Sequence, residues 1–296
     1  MKYTISAFTD EAGENIREQI KACKDNNICF IELRNANSKN LADLTLAEVK
    51  DIKNELDDAG IKVSAAGSPF GKTGIEEDFA PTLESFKRYV EKMHALDTCL
   101  LRLFSFYNTL GDPAAYKDEV AARIGLMMEA APGIVFCHEN ERGIFGNIPE
   151  RCKELYDAFG GRLKLVFDPA NFVCDKVDVL GAFEMLEDYI EYFHIKDAYC
   201  ASGEIVPAGC GDAKIADVLA RFARFAQKDR DVYLSVEPHL AINDKGEAMA
   251  VKTGYIYDSK PEAFRAACSA LADTLRSIGF RPTGLATGGV WENAAE

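Results

Sequence analysis

Short runs of β-branched and aromatic residues alternate along this chain with longer amphipathic stretches rich in charge. That alternation is the mark of repeated βα units around a parallel sheet. Eight such runs are legible, at 3–8, 28–33, 61–66, 99–104, 133–138, 163–168, 190–195 and 231–237. Between them, TLAEVKDIKNELDDAG opens on Thr45 with Glu48 three residues on, the capping-box spacing, and closes on Gly60. Residues 214–228 repeat the helical period. Eight strands, each followed by a helix, predict a (β/α)8 barrel, a single α/β domain over residues 1–280 with a C-terminal tail at 281–296. A doubly wound open sheet would need a glycine-rich phosphate loop after the first strand, and FTDEAGENI there is not G-x-G-x-x-G.

Composition narrows the class without changing the fold. Hydrophobic residues at 48% and charged ones at 28% are ordinary for a soluble globular chain. A formal net charge of -14 argues against nucleic acid and against anionic membranes, since both are held by Lys and Arg. Nine cysteines, odd in number and never spaced C-x-x-C, fit free thiols in a reducing compartment. The early acids of MKYTISAFTDEAGEN do not suit a secretory signal, and no run reaches membrane-spanning length. The expectation is a cytoplasmic protein.

Candidate chemistry sits where four of the apolar runs stop. IVFCHE stops on Glu139, LKLVFD on Asp168, EYFHIKD carries His194, and VYLSVE stops on Glu237. These belong to strands 5, 6, 7 and 8, and in such a barrel the C-terminal strand ends surround the open mouth where catalysis occurs. Three carboxylates and one imidazole make an O,O,O,N set for one divalent ion, Mn2+ first, with Mg2+, Co2+ or Zn2+ as alternatives. Glu139 and Glu237, on strands 5 and 8, are expected to face each other across a substrate. One would take a carbon-bound proton and the other return it. Asn140, Asn171, Lys196, Asp197 and His239 lie within a few residues of a ligand and offer polar contacts to a polyol. Glu32 and Arg34 end the second strand and Arg102 lies within the fourth, and each is a candidate substrate contact or structural ion pair. By strict alternation His138 points away from the ligand side, and His94 falls on a helix.

These residues carry a resemblance. HEN around Glu139, FDPAN around Asp168, HIKD around His194, VPAGCGD after strand 7 and VEPH around Glu237 resemble the xylose isomerase-like TIM barrel superfamily. The likeness is greatest to the sugar phosphate isomerase/epimerase group that includes D-tagatose 3-epimerase, hydroxypyruvate isomerase and inosose dehydratase. It implies a metal-dependent isomerase or epimerase acting on a keto sugar, sugar acid or cyclitol through an enediolate. It also implies one divalent metal on Glu139, Asp168, His194 and Glu237, and proton exchange by the two glutamates. Two departures count against a free ketohexose: Asn171 and Cys200 stand where ketose 3-epimerases carry a His and an Arg that hold substrate. Endonuclease IV-like relatives need many histidines for a trinuclear zinc site, and this chain has four. The alternatives retained are the catalytic barrel of a C-glycoside deglycosidase with a small accessory subunit, an inosose dehydratase-like lyase, and a non-catalytic sugar-binding barrel. The aperiodic segment 241–260, with Tyr255 and Tyr257, is expected to form a lid, and a homo-oligomer is a further expectation.

Overall fold

The computed structural model describes residues 1–107, 111–225, 230–242, 254–283 and 289–293. Eight parallel strands form the wall: β1 (Lys2–Ala7), β2 (Phe30–Leu33), β3 (Lys62–Gly67), β4 (Leu100–Leu103), β5 (Val135–Glu139), β6 (Lys164–Phe167), β7 (Ile190–Ile195) and β8 (Asp231–Val236). Hydrogen-bonded neighbours run from β1 through β8, β7, β6, β5, β4 and β3 to β2, and the wall closes where β1 lies against β2 without a continuous ladder. This is the TIM-barrel fold. All eight expected strands are present, with ends shifted by up to two residues.

The helices form the outer layer: α1 (Ile16–Asp25), α2 (Leu46–Ala59), α3 (Ala80–Ala95), α4 (Lys117–Ala130), α5 (Pro149–Ala158), α6 (Pro169–Cys174), α7 (Val179–Leu186), α8 (Ile215–Phe225) and α9 (Lys260–Ser277). The expected caps of α2 are in place. Thr45 Oγ1 accepts from Glu48 N at 3.2 Å, Glu48 Oε2 accepts from Thr45 N at 2.7 Å, and Gly60 takes the left-handed φ of 73° that glycine tolerates best. Residues 226–228 of the expected 214–228 helix lie outside the described residues. Among the described residues no helix is long and apolar enough to cross a membrane.

Period-2 alternation sorts side chains inward and outward. Phe136 and His138 of β5 face the helical layer, where His138 meets Tyr156 of α5 and Ser105 at 3.0 and 2.9 Å. Tyr3 of β1 likewise reaches out to the Leu219 carbonyl of α8 at 2.7 Å. The inward set includes Glu32, Arg102, Glu139, Tyr192 and His194, all buried. A charged barrel interior is costly unless its members pair with one another, and that need brings the site together.

The C-terminal residues extend the same sheet. β9 (Phe280–Pro282) pairs antiparallel with β10 (Val290–Asn293), which pairs antiparallel with the lower half of β1 through Tyr3 opposite Trp291. Trp291 is thereby buried on the barrel itself.

Candidate active site

Glu139 is the last residue of β5, Asp168 follows β6 as the N-cap of α6, His194 is the penultimate residue of β7, and Glu237 follows β8. One donor atom from each lies within 4.8 Å of the others, and all four residues are buried. Asp168 divides its oxygens: Oδ1 accepts from Asn171 N at 3.0 Å, capping α6, which leaves Oδ2 for the cluster. His194 is divided in the same way. Its Nε2 lies 3.1 Å from Glu32 Oε2, while Nδ1 points into the cluster, 3.0 Å from Glu139 Oε1 and 4.0 Å from Glu237 Oε2. Glu32 is held in turn by the Tyr192 hydroxyl at 2.9 Å.

Two of these donors, His194 Nδ1 and Asp168 Oδ2, are buried and make no well-directed hydrogen bond, each having only an ion-pair neighbour, Glu139 Oε1 at 3.0 Å and Lys196 Nζ at 2.8 Å. Buried polar atoms so poorly satisfied are rare. Two of them converging with two further carboxylates fit a divalent ion with O and N preference, so Glu139, Asp168, His194 and Glu237 can hold one. Lys196 Nζ stands between Asp168 Oδ2 and Glu237 Oε2, 2.8 Å from each, and offsets part of the carboxylate charge.

The electrostatics follow from this crowding. Burial and the neighbouring carboxylates push Asp168 up to about 6 despite Lys196. Burial acts the same way on Glu139, but His194 and Arg102 outweigh it and hold the carboxyl down at about 2. Burial disfavours charge on His194, yet Glu139 and Glu32 prevail and lift its imidazole to about 10.

Beside the cluster lies a cavity of about 290 Å³, into which Glu139, Glu237, Arg102 and His239 open. Larger clefts of about 610 and 590 Å³ lie elsewhere, along α1 and α9, and gather no converging ligands. Arg102 Nε sits 3.3 Å from Glu139 Oε2, and its Nη1 donates to the Ser68 carbonyl at 2.7 Å. His239 Nε2 is 3.5 Å from Glu237 Oε1 and 3.1 Å from Glu11 Oε1, on a backbone with φ 42°, unusual for a residue other than glycine.

The remaining residues grouped from sequence as substrate contacts are engaged by the protein. Glu32 orients His194. Asn140 pairs with Asp168 through both backbone groups, Nδ2 donating to its carbonyl at 2.8 Å and Oδ1 accepting its amide at 2.9 Å. Asn171 Nδ2 donates to the Asn140 carbonyl at 2.9 Å and lies 3.3 Å from Glu139 Oε1. The oxygens of Asp197 accept amides from Ala198, Gly209, Gly211 and Ala213 at 2.8 to 3.0 Å, tying down the loop after β7. Buried polar side chains near a ligand serve its geometry first, because the backbone around it must be satisfied.

Sequence reasoning left out Glu11, Tyr192 and Phe8. Glu11 was within reach, since Asp10 and Glu11 follow the first strand as Glu139 closes the fifth. Tyr192 reads as an apolar strand residue until its hydroxyl is seen on Glu32. Of the expected lid, 243–253 lies outside the described residues. Its ends pair as Ala241–Ile242 with Ile256–Tyr257.

Residues 20–253 match the family described as "Xylose isomerase-like TIM barrel". Among solved structures, a D-tagatose 3-epimerase-like protein is 16% identical, with a TM-score of 0.70 over 94% of this chain and 98% of that one. The IOLI protein with a bound zinc atom is 14% identical, with a TM-score of 0.66 over 94% and 99%. The probable 3-DHS dehydratase AsbF of Bacillus anthracis is 16% identical, with a TM-score of 0.67 over 92% and 99%. At these identities the likeness is one of fold. Comparison with curated protein sequences gives no match.

Proposed function

Because this chain belongs to the xylose isomerase-like TIM-barrel family, we propose that it is a divalent-metal-dependent isomerase or epimerase of a keto sugar, sugar acid or cyclitol. The observation that carries this reading is the convergence of Glu139, Asp168, His194 and Glu237, with two donor atoms among them that make no well-directed hydrogen bond. The zinc atom bound in the structure of the IOLI neighbour supports it.

Glu139, Asp168, His194 and Glu237 would hold the ion, which supplies Lewis acidity that lowers the barrier to removing a proton beside a carbonyl. The chain's residues do the rest. Glu139 and Glu237 both open into the cavity, so a bound substrate lies between two carboxylates able to take and return a proton through an enediolate. Arg102 and Asn171 fix Glu139, and Lys196 fixes Glu237 at 2.8 Å, so each base is held at a defined oxygen. Glu32 sets the ring of His194, and Asn140 locks the backbone of Asp168. A lyase uses the same first step, and a dehydratase is among the structural neighbours. It would differ in losing a hydroxyl after the proton is taken.

The deciding experiment incubates the metal-loaded protein in D2O with a panel of keto sugars, keto sugar acids and inososes. Deuterium should enter a substrate carbon, and Glu139→Gln or Glu237→Gln should slow that entry by about 10² to 10⁴-fold. Loss of water in the deuterated product would select the lyase. No deuterium entry with any member would sink the reading and favour a sugar-binding barrel, and full activity in Glu139→Gln would overturn the two-glutamate mechanism.

A further inference from the structure

One wall of the cavity gathers more positive charge than holding the two glutamates requires. Arg34, Arg102 and Lys72 come from three different strand ends, β2, β4 and the segment after β3, yet two aromatic rings hold them in a row. The Arg34 guanidinium lies 4.6 Å from the centroid of Phe8, and Arg102 lies 5.7 Å from the same ring. Arg102 also lies 4.5 Å from the centroid of Phe104, and Lys72 lies 4.2 Å from it. The order is Arg34, Phe8, Arg102, Phe104, Lys72, cation and ring in alternation, and all three cations line the cavity.

Gathering three positive groups costs Coulomb repulsion, which the ring faces partly offset. The backbone is shaped to allow it. A Cβ at Gly67 would stand 3.0 Å from Phe8, 3.1 Å from Arg102 Nη2 and 3.2 Å from Arg34 Cβ, so a glycine here leaves the room in which both arginines approach the ring. The acids that balance the row are divided between its back and the cavity. Asp10 and Glu11 hold Arg34 at 2.9 and 3.2 Å, and Glu32 lies 3.9 Å from Arg102, but none of the three lines the cavity. Of the acids that do, Glu139 and Glu237 belong to the ligand cluster and lie 3.3 Å from Arg102 and 3.4 Å from Arg34, and Glu141 pairs with Lys72 at 3.1 Å.

We propose that this wall receives an oxyanion carried by the substrate, a carboxylate or a phosphate, at the end away from the carbons whose proton is moved. Resting on the isomerase reading, this narrows the substrate class to anionic keto compounds. Guanidinium groups recognise both oxyanions through forked donors, and the cavity of about 290 Å³ limits the ligand to a small molecule.

The test compares three ligands that share one keto end: D-fructose, D-fructuronate and D-fructose 6-phosphate. Calorimetric titration of the metal-loaded protein should give at least one anion about tenfold tighter binding than D-fructose, and the tighter of the two identifies carboxylate or phosphate. Lys72→Met, and separately Arg34→Gln, should bring that ratio toward one, with circular dichroism checking the fold. Lys72 is half-exposed and gives the answer should Arg34→Gln fail to fold. Equal binding of all three, no measurable binding of either anion, or a ratio untouched by Lys72→Met overturns the proposal. Binding is read without turnover, so absent deuterium exchange counts against the reaction, and a ratio of one counts against the wall.

Discussion

Glu32 Oε2 lies 3.1 Å from His194 Nε2, across the barrel interior from β2 to β7, and it turns the other imidazole nitrogen toward the three carboxylates. A histidine aimed by a carboxylate is more basic and better oriented as a ligand. Glu32→Gln keeps the volume and removes the charge. We expect divalent-metal affinity to fall about 10 to 100-fold, read by metal titration, with unchanged circular dichroism. Undiminished affinity would mean the ring is oriented by packing against Phe8 and Tyr192 alone.

Proton release should accompany ion binding. Burial opposes charge on His194, but Glu139 and Glu32 raise its imidazole to about 10, so at pH 8 Nδ1 carries a proton that an incoming ion must displace. The sign is fixed: apparent affinity rises with pH below 10, by about tenfold per unit where one proton is lost. Calorimetry in two buffers of different ionisation enthalpy should show about one proton released. Equal heats in both would contradict this.

Asp197 is expected to act on stability. Truncating it leaves four buried or half-buried amides without an acceptor, at 198, 209, 211 and 213. Asp197→Ala should cost on the order of 3 kcal/mol and expose the loop after β7 to limited proteolysis. A variant as stable and as resistant as the parent would refute this role.

Trp291 is the only tryptophan and is buried where β10 lies on β1, with Arg276 of α9 5.4 Å from its ring centroid. Its emission should be blue-shifted in the folded protein and should move to the red together with far-UV dichroism as urea is raised. Trp291→Ala should cost about 3 kcal/mol. An emission change well before the dichroism change would show that β10 detaches independently of the barrel.

The eight strands and the capping box of α2 could be read because alternation and cap chemistry are local. The cluster could be read because a strand end is a position in sequence as well as in space. What β5 to β8 could not disclose was the direction of each side chain's remaining hydrogen bonds. Asn140, Asn171 and Asp197 were grouped with substrate because they adjoin ligands, whereas their partners are backbone groups of neighbouring loops. Arg34, Arg102 and Lys72 are legible as basic candidates near the mouth, but their alternation with Phe8 and Phe104 is not, since the members stand far apart in sequence and meet only once the barrel curls.

The pairing of β10 with β1 bears on assembly. Tyr3 and Trp291 face each other across all eight βα units, so this ladder closes a very long loop. Its entropy cost is met only after the intervening βα units are in place, and contacts of such separation slow folding. During synthesis the lower half of β1 waits for its antiparallel neighbour until residues 290–293 have been made, so this part of the sheet forms after the eight strands of the wall.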